Sequence, residues 1–118
     1  MLVKDERGSI NFIDEEDNFV GFRSYQCCCE NFGWHITDSN DEHINIVEND
    51  PEFLRGFLFN TDKEPTESAD SDYGDGGSVS FQLINSMTGE TLCLTLYNHH
   101  NGYYSHGWQS SFGGSGSL

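Results

Sequence analysis

Two alternating runs late in the chain constrain its fold more than any other feature. Val79, Phe81 and Leu83 alternate with Ser80, Gln82 and Ile84, and Leu92, Leu94 and Leu96 alternate with Cys93, Thr95 and Tyr97. A period of two sends successive side chains to opposite faces of a strand. Between the runs, Asn85-Ser86-Met87-Thr88-Gly89-Glu90 reads as a turn with glycine near its end. The segment therefore predicts a β-hairpin whose Val/Phe/Leu face lies against a core.

Weaker signals of the same kind precede it. Ser9 to Ile13 alternates with Ile10 and Phe12 on one face, Asp14 to Asn18 is a turn, and Phe19 to Tyr25 should return antiparallel. Trp34 to Thr37 and His43 to Val47 are strand-like, joined by the polar Asp38 to Glu42. Asp50-Pro51-Glu52 carries helix-start residues, and Phe53, Leu54, Phe57 and Leu58 recur at helical spacing. Gly56 weakens that helix, and Gly56 to Phe59 reads equally as a strand. Thr61 to Gly77 is polar and acidic and should be an exposed loop. Asn98 to Gly102 reads as a second turn, because Asn-Gly accepts positive φ. Tyr103 to Phe112 would be a last strand with Tyr104, His106 and Trp108 on one face.

A chain of 118 residues fits one domain, and nine Phe, five Tyr and two Trp can fill its core. The expected fold is mainly β: an antiparallel sheet of hairpins with at most one short helix near residues 51–58, α+β being the alternative. The domain spans residues 1–112. Residues 113–118, Gly-Gly-Ser-Gly-Ser-Leu, read as a flexible tail or linker outside the fold. There is no apolar run of membrane-spanning length and no signal-peptide core after Met1, so a soluble cytoplasmic protein is expected.

Charge narrows the function. The formal net charge is -15, and all but one of the 20 acidic residues lie at or before Asp75. Such a protein repels nucleic acid and anionic membranes and attracts cationic surfaces. The acids fall on predicted turns: Asp14, Glu15, Glu16 and Asp17 on the first hairpin, Asp41 and Glu42 on the next connection, and Asp70, Asp72 and Asp75 on the long loop. Carboxylates arrayed on a β scaffold can imitate the phosphates of a nucleic acid. Plain solubility is the competing explanation. Halophilic acidification is a further one, which the nearly uncharged last third opposes.

Three other sets could carry chemistry. Cys27, Cys28, Cys29 and Cys93 with five histidines are numerous enough for zinc. Three contiguous cysteines are poor spacing for it, however, since Cys27 and Cys29 share a face and Cys28 points away. The alternative zinc set is Cys27, Cys29, Cys93, His35 and His106; the favoured reading is structural thiols and no cofactor. Asp70 to Gly76 resembles the start of a calcium loop, but Phe81 stands where the twelfth position needs Glu. Cys93 with His106 lacks the frame of a nucleophile–base pair, so no catalytic residue is assigned. Tyr103, Tyr104 and Trp108 suggest an aromatic interface.

Two motifs carry a resemblance. Tyr25-Gln26-Cys27-Cys28-Cys29-Glu30 and the late His100-Asn101-Gly102-Tyr103-Tyr104-Ser105-His106-Gly107 resemble a family of small uncharacterised phage and bacterial domains with a Cys-Cys-Glu segment and an Asn-Gly-Tyr-Tyr-Ser ending. The resemblance implies a β-rich domain of phage or mobile-element origin. Joined to the charge, it makes the expected function a non-enzymatic acidic module that binds a basic protein surface. In its most specific form it would be a phage-encoded inhibitor of anti-CRISPR or anti-restriction type, acting in the host cytoplasm as a nucleic-acid mimic. A Cys/His zinc domain and an oligomerising structural subunit are the alternatives.

Overall fold

The computed structural model describes residues 1–6, 8–23, 31–40, 42–44, 52–69, 75–100 and 107–118. The chain is mainly β, with eleven described strands in two antiparallel sheets. The first sheet contains β1 (Leu2–Glu6), β2 (Ser9–Ile13), β3 (Phe19–Arg23), β10 (Gly107–Ser110) and β11 (Ser115–Ser117), side by side in that order. The second runs β5 (His43–Ile44), β4 (Asn31–Thr37), β9 (Thr91–His100), β8 (Asp75–Asn85), with β6 (Phe57–Phe59) and β7 (Thr66–Ala69) both paired to β8.

The late hairpin is the centre of the second sheet. Val79 pairs with Leu96, Phe81 with Leu94 and Leu83 with Leu92. All six side chains are buried. The first hairpin forms as its alternation requires, with Ile10, Phe12, Val20 and Phe22 buried. These inner faces share one core, in which Phe12 meets Trp34 edge-on at 4.9 Å and Phe81 meets Trp108 at 5.5 Å. The sheets therefore pack face to face as a sandwich.

Several expectations need correction. The segment after residue 50 holds only a 3-10 turn, Glu52–Leu54, before β6. Gly56 at φ 84° stops the turn, and Phe57 and Phe59 are buried around a half-buried Leu58, a strand period rather than a helical one. Phe53 is 39% exposed and leaves the apolar set. The expected loop at 61–77 contains β7, whose Thr66 to Ala69 pair with Ser80 to Gly77. Asn98 to His100 extend β9 instead of turning. Asn98 is buried, and its Nδ2 donates to the Leu118 oxygen at 2.9 Å, so a polar residue is accommodated inside the sheet.

The largest correction concerns residues 113–118, which are part of the fold. Gly113 and Gly114 turn the chain at φ 113° and 100°, conformations that suit glycine. β11 then pairs back on β10, and Leu118 is buried in the core. A Cβ on Gly116 would stand 2.8 Å from Trp108 Nε1, so the glycine lets the indole lie against the strand. The structured domain thus continues to Leu118. β1 also lies outside the sequence reading: only Val3 of its five residues is buried, and its charges mark an exposed edge. Among the described residues no helix is long and apolar enough to cross a membrane.

Candidate binding cleft

The edge of the second sheet is interrupted. After β6, Asn60 still donates its amide to the Gln82 oxygen at 3.0 Å, and its Nδ2 donates to Gln82 Oε1 at 2.7 Å. Asn60 then turns the chain outward: its Oδ1 accepts from the Asp62 amide at 3.2 Å, and its carbonyl accepts from the Lys63 amide at 3.2 Å. The chain rejoins β8 at Thr66. The excursion and β7 form one wall of a cleft of about 360 Å³, facing the β10–β11 turn.

Trp108 and Phe112 supply the aromatic surface of this cleft, Gly113, Gly114 and Ser115 the far wall, and Asp62, Glu64 and Glu67 its carboxylates. Phe112 rests on Phe59, with ring centroids 5.3 Å apart. Glu67 pairs with core-facing Val79, which directs it to the inner side of the sheet at the rim. Lys63 is the one cation among the lining residues. Aromatic surface beneath carboxylates favours an organic cation, because ring faces and carboxylates attract positive charge together.

The acidic tip of the first hairpin is anchored beside this cleft. Asp14 is only 4% exposed. Its Oδ1 accepts from the Glu16 and Asn18 amides, each at 2.9 Å, and its Oδ2 accepts from the Phe59 amide at 3.0 Å. Asp14 is therefore a structural anchor, in contrast to its expected place among the exposed binding acids. Glu15, Glu16 and Asp17 are exposed around it. The β10–β11 turn is tied to the same end, since the Phe19 amide donates to Ser111 Oγ at 2.8 Å and the Ser111 amide to the Phe19 oxygen at 2.9 Å. Hydrogen bonds thus gather the hairpin tip, the acidic excursion and the aromatic turn at one edge.

Glu42 is exposed before β5. Asp41, Asp70, Asp72, Tyr103, Tyr104, Cys27, Cys28, Cys29 and His106 lie outside the described residues, as does the side chain of Asp75. Trp108, expected at an interface, is 5% exposed and packs in the core while edging the cleft. Its Nε1 has no hydrogen-bond partner among the described residues.

The outer face of the second sheet holds the described part of the Cys/His set. His35 and His43 stack with ring centroids 4.5 Å apart and an interplanar angle of 17°. Burial, and secondarily the charge of His43, lower the His35 pKa from the ordinary 6.5. Cys93 is half-buried and free, with Sγ 3.7 Å from Thr95 Oγ1, itself 2.9 Å from Ser80 Oγ. Among the described residues no three His, Cys, Asp or Glu side chains are grouped to hold a metal. The arrangement around Cys93 is a hydroxyl ladder on a sheet surface.

Sequence reasoning counted Asp62, Glu64 and Glu67 in the long acidic loop, but joined neither them nor Phe112 into a common site. The only signal was an aromatic residue directly before two glycines, opposite an acidic stretch far away in sequence. No family model, curated protein or solved structure matches this chain.

Proposed function

We propose that the chain is a non-enzymatic binding module that engages a basic protein surface through the acidic edge described above. The observation that carries this reading is the link at one edge: Asp14 bonded to Phe59 ties the tip that bears Glu15, Glu16 and Asp17 to the strand that leads into the excursion bearing Asp62 and Glu64. A chain acidified only for solubility has no need to gather carboxylates around an aromatic cleft. Its more specific form, which joins the net charge of -15 to the phage-type resemblance, is a phage-encoded inhibitor that occupies the cationic groove of a host nucleic-acid-binding defence protein.

Capture from a bacterial lysate, at about 0.05 M and about 0.5 M salt, tests the reading, because exposed charges lose their attraction as the Debye length shrinks. The expected partners are basic. They are retained at low salt and released at high salt, and the D62N/E64Q/E67Q variant captures them weakly at both. Capture that ignores both salt and the three neutralisations would overturn the electrostatic model.

A further inference from the structure

We propose that the cleft takes an extended, arginine- or lysine-bearing segment of a protein partner, which adds as a strand to the free edge of β11. This names the occupant of the acidic edge and rests on the reading above.

The first support is the edge itself. β11 ends its sheet and pairs with β10 alone among the described strands. Its residues are Ser115, Gly116 and Ser117, so no side chain larger than a hydroxymethyl shields the outer backbone groups. Exposed edges are commonly guarded by charge, proline or a bulge. The opposite edge of the same sheet is guarded in this way: β1 carries Lys4, Asp5 and Glu6, all exposed. The two edges of one sheet therefore differ, and the unguarded one borders the cleft.

The second support is charge complementarity. An added strand places alternate side chains on the inner side of the sheet, as β11 itself does. There they would meet the cleft, where Trp108 and Phe112 lie beneath and Asp62, Glu64 and Glu67 stand across from Ser115. A guanidinium or ammonium group on an alkyl stem satisfies both halves of that surface: the stem covers the aromatic rings and the cation reaches the carboxylates. An acidic segment would meet repulsion at the same positions. Main-chain pairing would supply attachment, and the cleft would select for charge.

The probe is a labelled peptide of about ten residues alternating Arg and Thr, the length of an ordinary strand, titrated into the full chain by fluorescence anisotropy. A second copy carries backbone N-methyl groups on alternate residues, which leave its charge intact and remove its pairing edge. The parent peptide is expected to bind and to slow hydrogen exchange in β11. The methylated copy, and the parent on the D62N/E64Q/E67Q variant, are each expected to bind at least about tenfold more weakly, as loss of main-chain pairing or of charge complementarity requires. Equal binding of the two peptides, protection elsewhere than β11, or no binding of the parent overturns strand addition. If salt-sensitive capture of basic proteins persists in that event, the acidic-module reading stands. Failure of salt and neutralisation to affect any binding removes both.

Discussion

The Asp14 carboxylate accepts the backbone hydrogen of Phe59 at 3.0 Å, joining the turn after β2 to β6 of the other sheet, 45 residues away in sequence. The same carboxylate holds its own hairpin turn through the Glu16 and Asn18 amides. One side chain therefore sets the shape of the tip and its seat on the neighbouring sheet.

Replacing Asp14 should be costly although it sits in a run of acids. Asp14→Ala leaves three amide donors without their acceptor, and loss of charge-assisted bonds of this kind predicts destabilisation of about 2–4 kcal/mol. Asp14→Asn should still cost about 1–3 kcal/mol, because its NH₂ group would face either the Phe59 amide or the turn amides. Glu15→Gln and Glu16→Gln should stay within about 0.5 kcal/mol. Urea unfolding of the four variants separates these outcomes, and equal stability of all four would refute the anchoring role.

Residues 113–118 should behave as structure. Deleting Ser115 to Leu118 removes β11 and a buried leucine and uncovers Trp108. The deletion should lower the melting temperature by several degrees or more and shift tryptophan emission to the red. Gly116→Ala should destabilise by about 1–3 kcal/mol, since its Cβ would overpack the indole. A flexible tail would tolerate both changes without effect.

The histidine stack supplies a pH dependence. The His35 pKa is lowered in the folded protein by burial and by His43, so the unfolded chain takes up the proton more readily. Its contribution to stability is present above the unfolded value near 6.5 and is lost as pH falls through 6.5 toward the lower folded pKa. In an NMR titration the His35 ring should have a midpoint below 6.5. Replacing His43 by Gln should raise that midpoint by removing the repulsive charge. An unchanged midpoint would mean that the stacked ring does not influence His35.

Trp108 combines large buried area with a donor that lacks an acceptor among the described residues. Trp108→Ala should cost about 3–5 kcal/mol through lost packing. Trp108→Phe should cost less than half of that, because it keeps a ring against Phe81 and removes the unsatisfied N–H. Comparable losses for the two variants in thermal unfolding would show that the indole N–H does have a partner.

Much of the second sheet was legible because its side chains separate cleanly: Leu92, Leu94 and Leu96 inward, Thr91, Cys93, Thr95 and Tyr97 outward. Alternation fails where a strand buries little. β1 inserts Val3 alone, and β11 works through glycine, whose role depends on the indole it meets rather than on its own chemistry. Composition also misled at Asn98, where a turn-forming residue is held in a strand by pairing with Phe32 and Gly77 while its side chain bonds Leu118. The site was harder still. The acids of 62–67 are visible in sequence, but their aromatic partners stand at 108 and 112 on the other sheet, and packing of the two sheets brings them together. Asp14 shows the reverse case: it is indistinguishable from its acidic neighbours until the second sheet is in place.

The connectivity of the two sheets also dictates a timetable. β8 and β9 are neighbours along the chain, so their hairpin can close early, with little search through chain conformations. β3 and β10, by contrast, meet in the register Trp108 to Phe22, a closure of 86 residues whose entropic cost must be met before any contact rewards it. The central hairpin should therefore condense first and the β3–β10 seam last, and late events in assembly should coincide with formation of the aromatic cleft. The acidic excursion would exist as a charged loop before it had rings to face, and the complete cleft would be the final feature the molecule acquires as it folds.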